Sequence, residues 1–203
     1  MRPRRVFLHL ALVLLFAAFV PLRPAAASAD PSAFMVGIGN RVLDIINDKR
    51  TSDAQHREQF LQLADQSFDV PKIAQFVLGR YWRSASDDEK ARFIQAFKTY
   101  MVQVYWSRFN SYAGETFQVT NTKDEGNGTI LVTTEILRTE SGKPSVKVSW
   151  SLVAIGQSFK IRDASLEGVS QALTYREEFA SIIEHNGGKV APLIDQLNDR
   201  AKG

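Results

Sequence analysis

The hydrophobic period of this chain changes twice, and each change fixes what the segment can become. From Pro31 to about Tyr112 the apolar residues recur every three or four positions, which lays them along one side of an α-helix. From Phe117 to Ile161 they alternate with polar residues, the spacing that puts them on one face of a strand. Beyond Thr174 the helical spacing returns. Helices, then strands in series, then helices again do not make the alternating pattern of a parallel α/β sheet. They predict one α+β domain, with a helical layer on one face of a curved four-stranded antiparallel sheet.

Between Pro31 and Arg50, Phe34, Ile38, Val42, Ile45 and Ile46 make one stripe. Ser52-Asp53-Ala54-Gln55 has the spacing of a reciprocal helix cap and opens a helix carrying Phe60, Leu61 and Ala64. Asp69 and Pro71 suit a third helix start, with Ile73, Phe76, Val77 and Tyr81 on its inner side. A second capping box, Ser86-Asp87-Asp88-Glu89, opens the longest helix. Its Phe93, Ile94, Phe97, Tyr100, Met101, Val104, Tyr105 and Phe109 cover more than one stripe, so enclosure on more than one side is expected.

The four strands are read at Phe117–Thr120, Thr129–Thr139 (Ile130, Val132, Thr134 and Ile136 on one face), Val146–Leu152 (Val146, Val148, Trp150 and Leu152) and Phe159–Ile161. Turn residues separate them at 124–128, 140–144 and Gly156-Gln157, so consecutive antiparallel pairing is the economical topology. Asn127-Gly128-Thr129 is formally a glycosylation acceptor, but a hairpin turn with positive φ angles accounts for the Asn-Gly pair. Thr174-Tyr175-Arg176-Glu177 reads as a capping box for a helix with Phe179, Ile182 and Ile183 that ends at Asn186-Gly187-Gly188. A last helix begins near Ala191, with Pro192 in its first turn.

Of the 203 residues, 25 are Lys or Arg and 22 are Asp or Glu, for a formal charge of +3, and none is Cys. Without cysteine there is no disulfide, thiol nucleophile, Cys-ligated metal or lipid anchor on an N-terminal cysteine. The positive charge is concentrated at the start. Arg2, Arg4 and Arg5 precede an apolar run from Val6 to Val20, followed by Pro21, Pro24 and Ala25-Ala26-Ala27-Ser28-Ala29. That is the layout of a secretory signal with cleavage after Ala29, leaving residues 30–203 as a single mature exported domain. An uncleaved anchor is disfavoured because a bilayer span needs roughly 20 apolar residues. Arg4-Arg5 also resembles a twin-arginine export signature, though the strongly apolar run favours the general route. Cleavage removes four arginines and no acid, which leaves 21 basic against 22 acidic residues. A chain so balanced lacks the clustered excess that nucleic acid or a polybasic membrane dock demands.

Catalytic chemistry is largely eliminated. His56-Arg57-Glu58 has no second histidine at the helical spacing of a zinc site, and His185 suits the last turn of a helix. Gly168-Val169-Ser170-Gln171-Ala172 begins like a nucleophile elbow without its second glycine. Gly37-Ile38-Gly39 lies inside a helical pattern and is no dinucleotide fingerprint. Asp163 and Glu167 form a conceivable carboxylate pair, against the plainer reading of a capping or solvated face. No catalytic residue, metal ligand or cofactor is assigned. What remains is an apolar strand face opposite an aromatic helix layer, which can be a packed core or the lining of a cavity for an acyl ligand.

One segment is more specific. Phe68-Asp69-Val70-Pro71-Lys72-Ile73-Ala74-Gln75-Phe76-Val77-Leu78-Gly79-Arg80-Tyr81-Trp82 resembles the helical signature of the MlaC family of periplasmic phospholipid-binding proteins, also described as toluene-tolerance proteins. Val146-Lys147-Val148-Ser149-Trp150, the run Ile161 to Ser170 and Tyr175-Arg176-Glu177-Glu178-Phe179 agree with it in order and spacing. The resemblance implies a monomeric carrier that takes phospholipid between an outer-membrane lipoprotein complex and an inner-membrane ABC transporter with an MCE-domain ring, with no catalysis. The lipid contacts of that family are spread over cavity walls, so the candidates here are the facing apolar residues. These are Val132, Ile136, Val148, Trp150 and Leu152 on strands, with Phe97, Met101, Val104 and Tyr105 on the long helix. Two alternatives stay open: the hopanoid-associated HpnM branch of the same family, and an enzyme on a similar fold using Asp163 or Tyr105.

Overall fold

A computed structural model describes residues 30–109, 114–138 and 144–202. The signal-like segment, Tyr112, the side chain of Phe109 and turn residues 140–143 lie outside the described residues. Helices α1 (Pro31–Asn47), α2 (Asp53–Ser67), α3 (Val70–Leu78) and α4 (Asp87–Phe109) come first, with a 3-10 turn at Gly79–Trp82. Strands β1 (Thr116–Gly126), β2 (Thr129–Leu137), β3 (Val146–Ile155), β4 (Ser158–Leu166) and β5 (Val169–Ser170) follow, then α5 (Gln171–His185) and α6 (Ala191–Arg200).

Both early capping boxes form. Ser52 and Gln55 exchange bonds, as do Ser86 and Glu89, where the Glu89 N–H donates to Ser86 Oγ at 3.1 Å and the Ser86 N–H to Glu89 Oε2 at 2.9 Å. The third start differs from expectation. Asp69 makes no side-chain cap, because its carboxylate pairs with Arg162 at 3.1 Å and its N–H donates to the Ile161 carbonyl at 2.9 Å. With Lys160 reaching the Asp65 and Gln66 carbonyls at 2.7 and 2.8 Å, that linker covers the stretch of β4 that β5 leaves unpaired. On α3 the buried stripe is Val70, Ala74, Val77 and Leu78, and Phe76, expected inside, is 43% exposed.

The sheet is a meander, β1-β2-β3-β4-β5, antiparallel throughout. It has five strands where four were expected. β1 is also longer than its alternating part, since the polar run from Asn121 to Gly126 continues the ladder through two register shifts. Asn127 and Gly128 turn the first hairpin with φ of 54° and 74°, as the Asn-Gly pair requires. The extra strand follows a Glu167-Gly168 turn with φ of 48° and 85°. A positive φ is uncommon for glutamate. Here its backbone N–H donates to the Lys147 carbonyl at 3.1 Å while its carboxylate accepts the Lys147 N–H at 2.8 Å, which holds the turn against β3.

The cap of α5, Ser170, lies four residues before the expected one. Ser170 Oγ accepts the Leu173 N–H at 3.0 Å, and Thr174 lies inside the first turn, donating back to the Ser170 carbonyl at 2.8 Å.

Three apolar clusters hold these layers. Ala74, Val77, Phe93, Phe97, Phe179, Ile183, Leu193 and Leu197 join α3, α4, α5 and α6. Met35, Val132, Leu152, Phe159 and Ile161 pack the first half of α1 on the sheet. Ile45, Phe60, Leu63 and Trp106 join the second half of α1 to α2 and α4. The long helix α4 is therefore enclosed on two sides, as its apolar girth predicts, with Trp106 an anchor that the sequence reading omits. Its Nε1–H donates to Asp53 Oδ1 at 2.8 Å, and the Phe60 and His56 rings each lie 5.3 Å from it.

Candidate functional site

The carboxylates and histidines singled out in the sequence are each engaged in hydrogen bonds. Asp163 Oδ1 accepts the N–H groups of Ala164 at 2.8 Å and Ala172 at 3.0 Å, so this carboxylate ties the first turn of α5 to β4. Glu167 is committed to Lys147 as described, and the two carboxylates serve backbone rather than each other. His56, read as a surface residue, is half-buried and bonds through Nε2 to the Asp48 carbonyl at 3.0 Å and to the Thr51 hydroxyl. His185 Nδ1 pairs with the Ser181 carbonyl at 2.8 Å in the last turn of α5. Among the described residues no cluster of three or more His, Cys, Asp or Glu could hold a metal ion.

The apolar candidates fall into two groups. Ladder pairing sets Val132 beside Trp150 and Thr134 beside Val148, so the strand residues share one face of the sheet. Val132 and Leu152 are fully buried in the α1 cluster, and Trp150 packs against it. Val148 is buried and Ile136 half-buried, further along the same face. On α4, Phe97 is buried in the helical cluster with its ring stacked on Phe93 at 5.8 Å, and Met101 packs against that cluster. Val104 and Tyr105 are half-buried one turn on. The strand and helix candidates thus belong to different clusters, and α4 packs on α2, α3 and α6 rather than extensively on any strand.

One polar node interrupts the strand face. Thr134, fully buried, accepts the indole N–H of Trp150 at 2.8 Å and donates to the Val148 carbonyl at 3.2 Å. A buried hydroxyl is tolerated when both its roles are filled. The chain of bonds fixes the indole plane between the closed α1 core and the part of the face holding Val148 and Ile136. Alternation alone reads Thr134 as one more inward position and gives no sign of the bond to Trp150.

Among the described residues no helix is long and apolar enough to cross a membrane. Comparison with known proteins adds three findings. The family model described as MlaC protein matches residues 38–199. The toluene tolerance protein ttg2D of Pseudomonas putida is 24% identical over 116 residues, 57% of this chain and 53% of that protein, so the match spans about half the length of the relative. A phospholipid-binding protein from Ralstonia solanacearum, solved in complex with a phospholipid, superposes with a TM-score of 0.72 at 21% identity, covering 86% of this chain and 98% of that one.

Proposed function

This chain belongs to the MlaC family, and from that premise we propose that it is a periplasmic phospholipid carrier, shuttling lipid between an outer-membrane lipoprotein complex and an inner-membrane MCE-domain ABC transporter and so maintaining outer-membrane lipid asymmetry. The family match over residues 38–199 carries the reading. A relative of the same fold that holds a phospholipid supports it. In this reading residues 1–29 are a cleaved export signal, residues 30–203 are the working domain, and the protein acts as a monomer by binding, without catalysis.

The physical need for a carrier is large. Exposing about 30 lipid methylenes to water costs on the order of 20 kcal/mol, at ~0.8 kcal/mol each, so free diffusion of lipid between membranes is negligible. A protein wall must replace the bilayer around both chains, while the head group can remain in water at the mouth. We assign that wall to the apolar residues of α4 and of the strand face, Val104, Tyr105 and Met101 with Ile136, Val148 and Trp150. Val132, Leu152 and Phe97, buried in their clusters, form its backing.

The test is purification without detergent followed by lipid extraction and mass spectrometry. Phospholipid should copurify with the wild type, and enlarging that wall with Val104→Trp and Ile136→Trp should reduce it severalfold in a folded protein. A wild type that carries no lipid overturns the reading, and a polycyclic lipid in the extract moves the chain to the hopanoid-associated branch.

A further inference from the structure

A groove of about 350 Å³ opens between the α3 C-terminus, the 3-10 turn and α5, lined by Gln75, Phe76, Gly79, Arg80, Trp82, Arg83 and Arg176. It is chemically unlike the rest of the surface. Exposed Phe76 and half-buried Trp82 share it with three guanidinium groups, and the Arg176 guanidinium lies over the Phe76 ring at 5.0 Å. Gly79 makes room for that arrangement: a Cβ there would meet Arg176 Nε at 3.2 Å, and its φ of 56° already favours glycine. Arg176 is thus held between backbone and ring before any ligand arrives.

Two of the three guanidinium groups in the groove are without an ion pair among the described residues. Arg80 pairs with Glu184 at 2.5 Å. Among the described residues Arg83 and Arg176 have no acidic partner, nor has Lys72, one turn before Phe76 on the same side of α3. Elsewhere nine described cations sit in ion pairs, while others such as Arg41 and Lys160 bond to neutral oxygens. The chain beyond residue 29 is balanced overall, so the groove's cations are not a by-product of a basic protein.

We propose that this groove docks an acidic segment of a partner protein, with carboxylates on Arg83 and Arg176 and an apolar side chain against Phe76. Guanidinium forks match carboxylates in two-bond geometry, and aromatic residues with arginine are the commonest anchors of protein interfaces. Three unmatched cations around a concavity are fewer than the roughly four to eight basic residues of a polybasic membrane patch. The concave shape fits an inserted side chain rather than a flat lipid surface. The groove shares no residue with the assigned cargo wall, so docking and cargo binding are measured separately.

The experiment uses fluorescence anisotropy with a fluorescein-labelled peptide of alternating glutamate and leucine, beside the same peptide with glutamine for glutamate. The wild type should bind the acidic peptide saturably, with an affinity that falls as salt rises, and bind the glutamine peptide at least about tenfold more weakly. Arg83→Glu with Arg176→Glu should abolish binding while leaving the protein folded and copurified lipid unchanged. Should that double variant not fold, Arg83→Gln and Arg176→Gln singly should each weaken binding. Equal binding of both peptides, no saturable binding, or full binding by the variants overturns the proposal. So does pelleting with phosphatidylglycerol vesicles without peptide binding, which would make the patch a membrane contact. Lipid measured on the same wild-type samples reports on the carrier reading separately.

Discussion

Trp150 gives its indole N–H to the hydroxyl of Thr134 at 2.8 Å, and Thr134 in turn donates to the carbonyl of Val148, Trp150's neighbour two positions back along β3. Replacing Thr134 by Val keeps the shape and removes both bonds, leaving an indole N–H facing a methyl group. The expected loss is about 1–2 kcal/mol in chemical denaturation, with Thr134→Ser retaining most of the stability. An unchanged midpoint in Thr134→Val would mean that the node positions nothing.

Two glycines of α1 should respond with opposite signs. A Cβ on Gly37 would meet nothing within 4 Å, whereas one on Gly39 would lie 2.8 Å from the ring of Phe117 on β1. Gly37→Ala should therefore stabilise by about 0.5–1 kcal/mol through helix propensity. Gly39→Ala gains the same propensity and forces the helix away from the sheet, for a net loss of about 1–2 kcal/mol. Thermal melts of the pair decide it, since equal shifts would contradict the close approach of α1 to β1.

Asp163 should be a stability residue. Asp163→Ala leaves the Ala164 and Ala172 N–H groups without their acceptor and should cost about 1–3 kcal/mol, while Asp163→Asn keeps an acceptor oxygen and should cost less. Copurified lipid should be the same in both variants. A folded Asp163→Asn protein that lost a turnover present in the wild type would instead revive the enzymatic alternative.

The hydrogen bond from the Arg50 side chain, with a second from its N–H, holds the Asp48 carboxyl below the usual carboxylate range. A carboxyl depressed in the folded state adds stability above its unfolded pKa and loses it as pH falls through the folded value. Arg50 is exposed and water screens the pair, so the effect belongs in the titration of Asp48 rather than in the melting temperature. Carbon-detected NMR should place its midpoint below the usual carboxylate range, and Arg50→Ala should raise it toward that range. A midpoint unmoved by that substitution would show that Arg50 is not the cause.

The order of elements is legible in the sequence because burial imposes period: the α stripes and the strand alternation are consequences of which side meets the core. Local caps are legible for the same reason that they form, through short-range bonds such as Ser52 with Gln55. Thr174 misleads because α5 is capped partly from a distance, by Asp163 on β4 at Ala172, so the best local motif is not the start. Phe76 misleads because helical spacing groups it with Ile73 and Val77, while the small Ala74 sets the face that actually closes. The candidate interior was harder. Periodicity assigns Val148 and Phe97 each to an inward side, yet says nothing of whether two inward sides meet, and here they belong to separate clusters. The arginine groove joins positions 80, 83 and 176, a convergence that no local window contains.

The helical cluster closes Ala74 and Phe93 against Leu193, Ile194 and Leu197. Those partners come from α3 and α4 before the sheet in the chain and from α6 after it. The cluster is therefore incomplete until the sheet and α6 have both been made, and the apolar faces of α3 and α4 stay uncovered in the meantime. Arrested chains ending before α6 should accordingly be cut by protease within α3 and α4, where the completed protein resists.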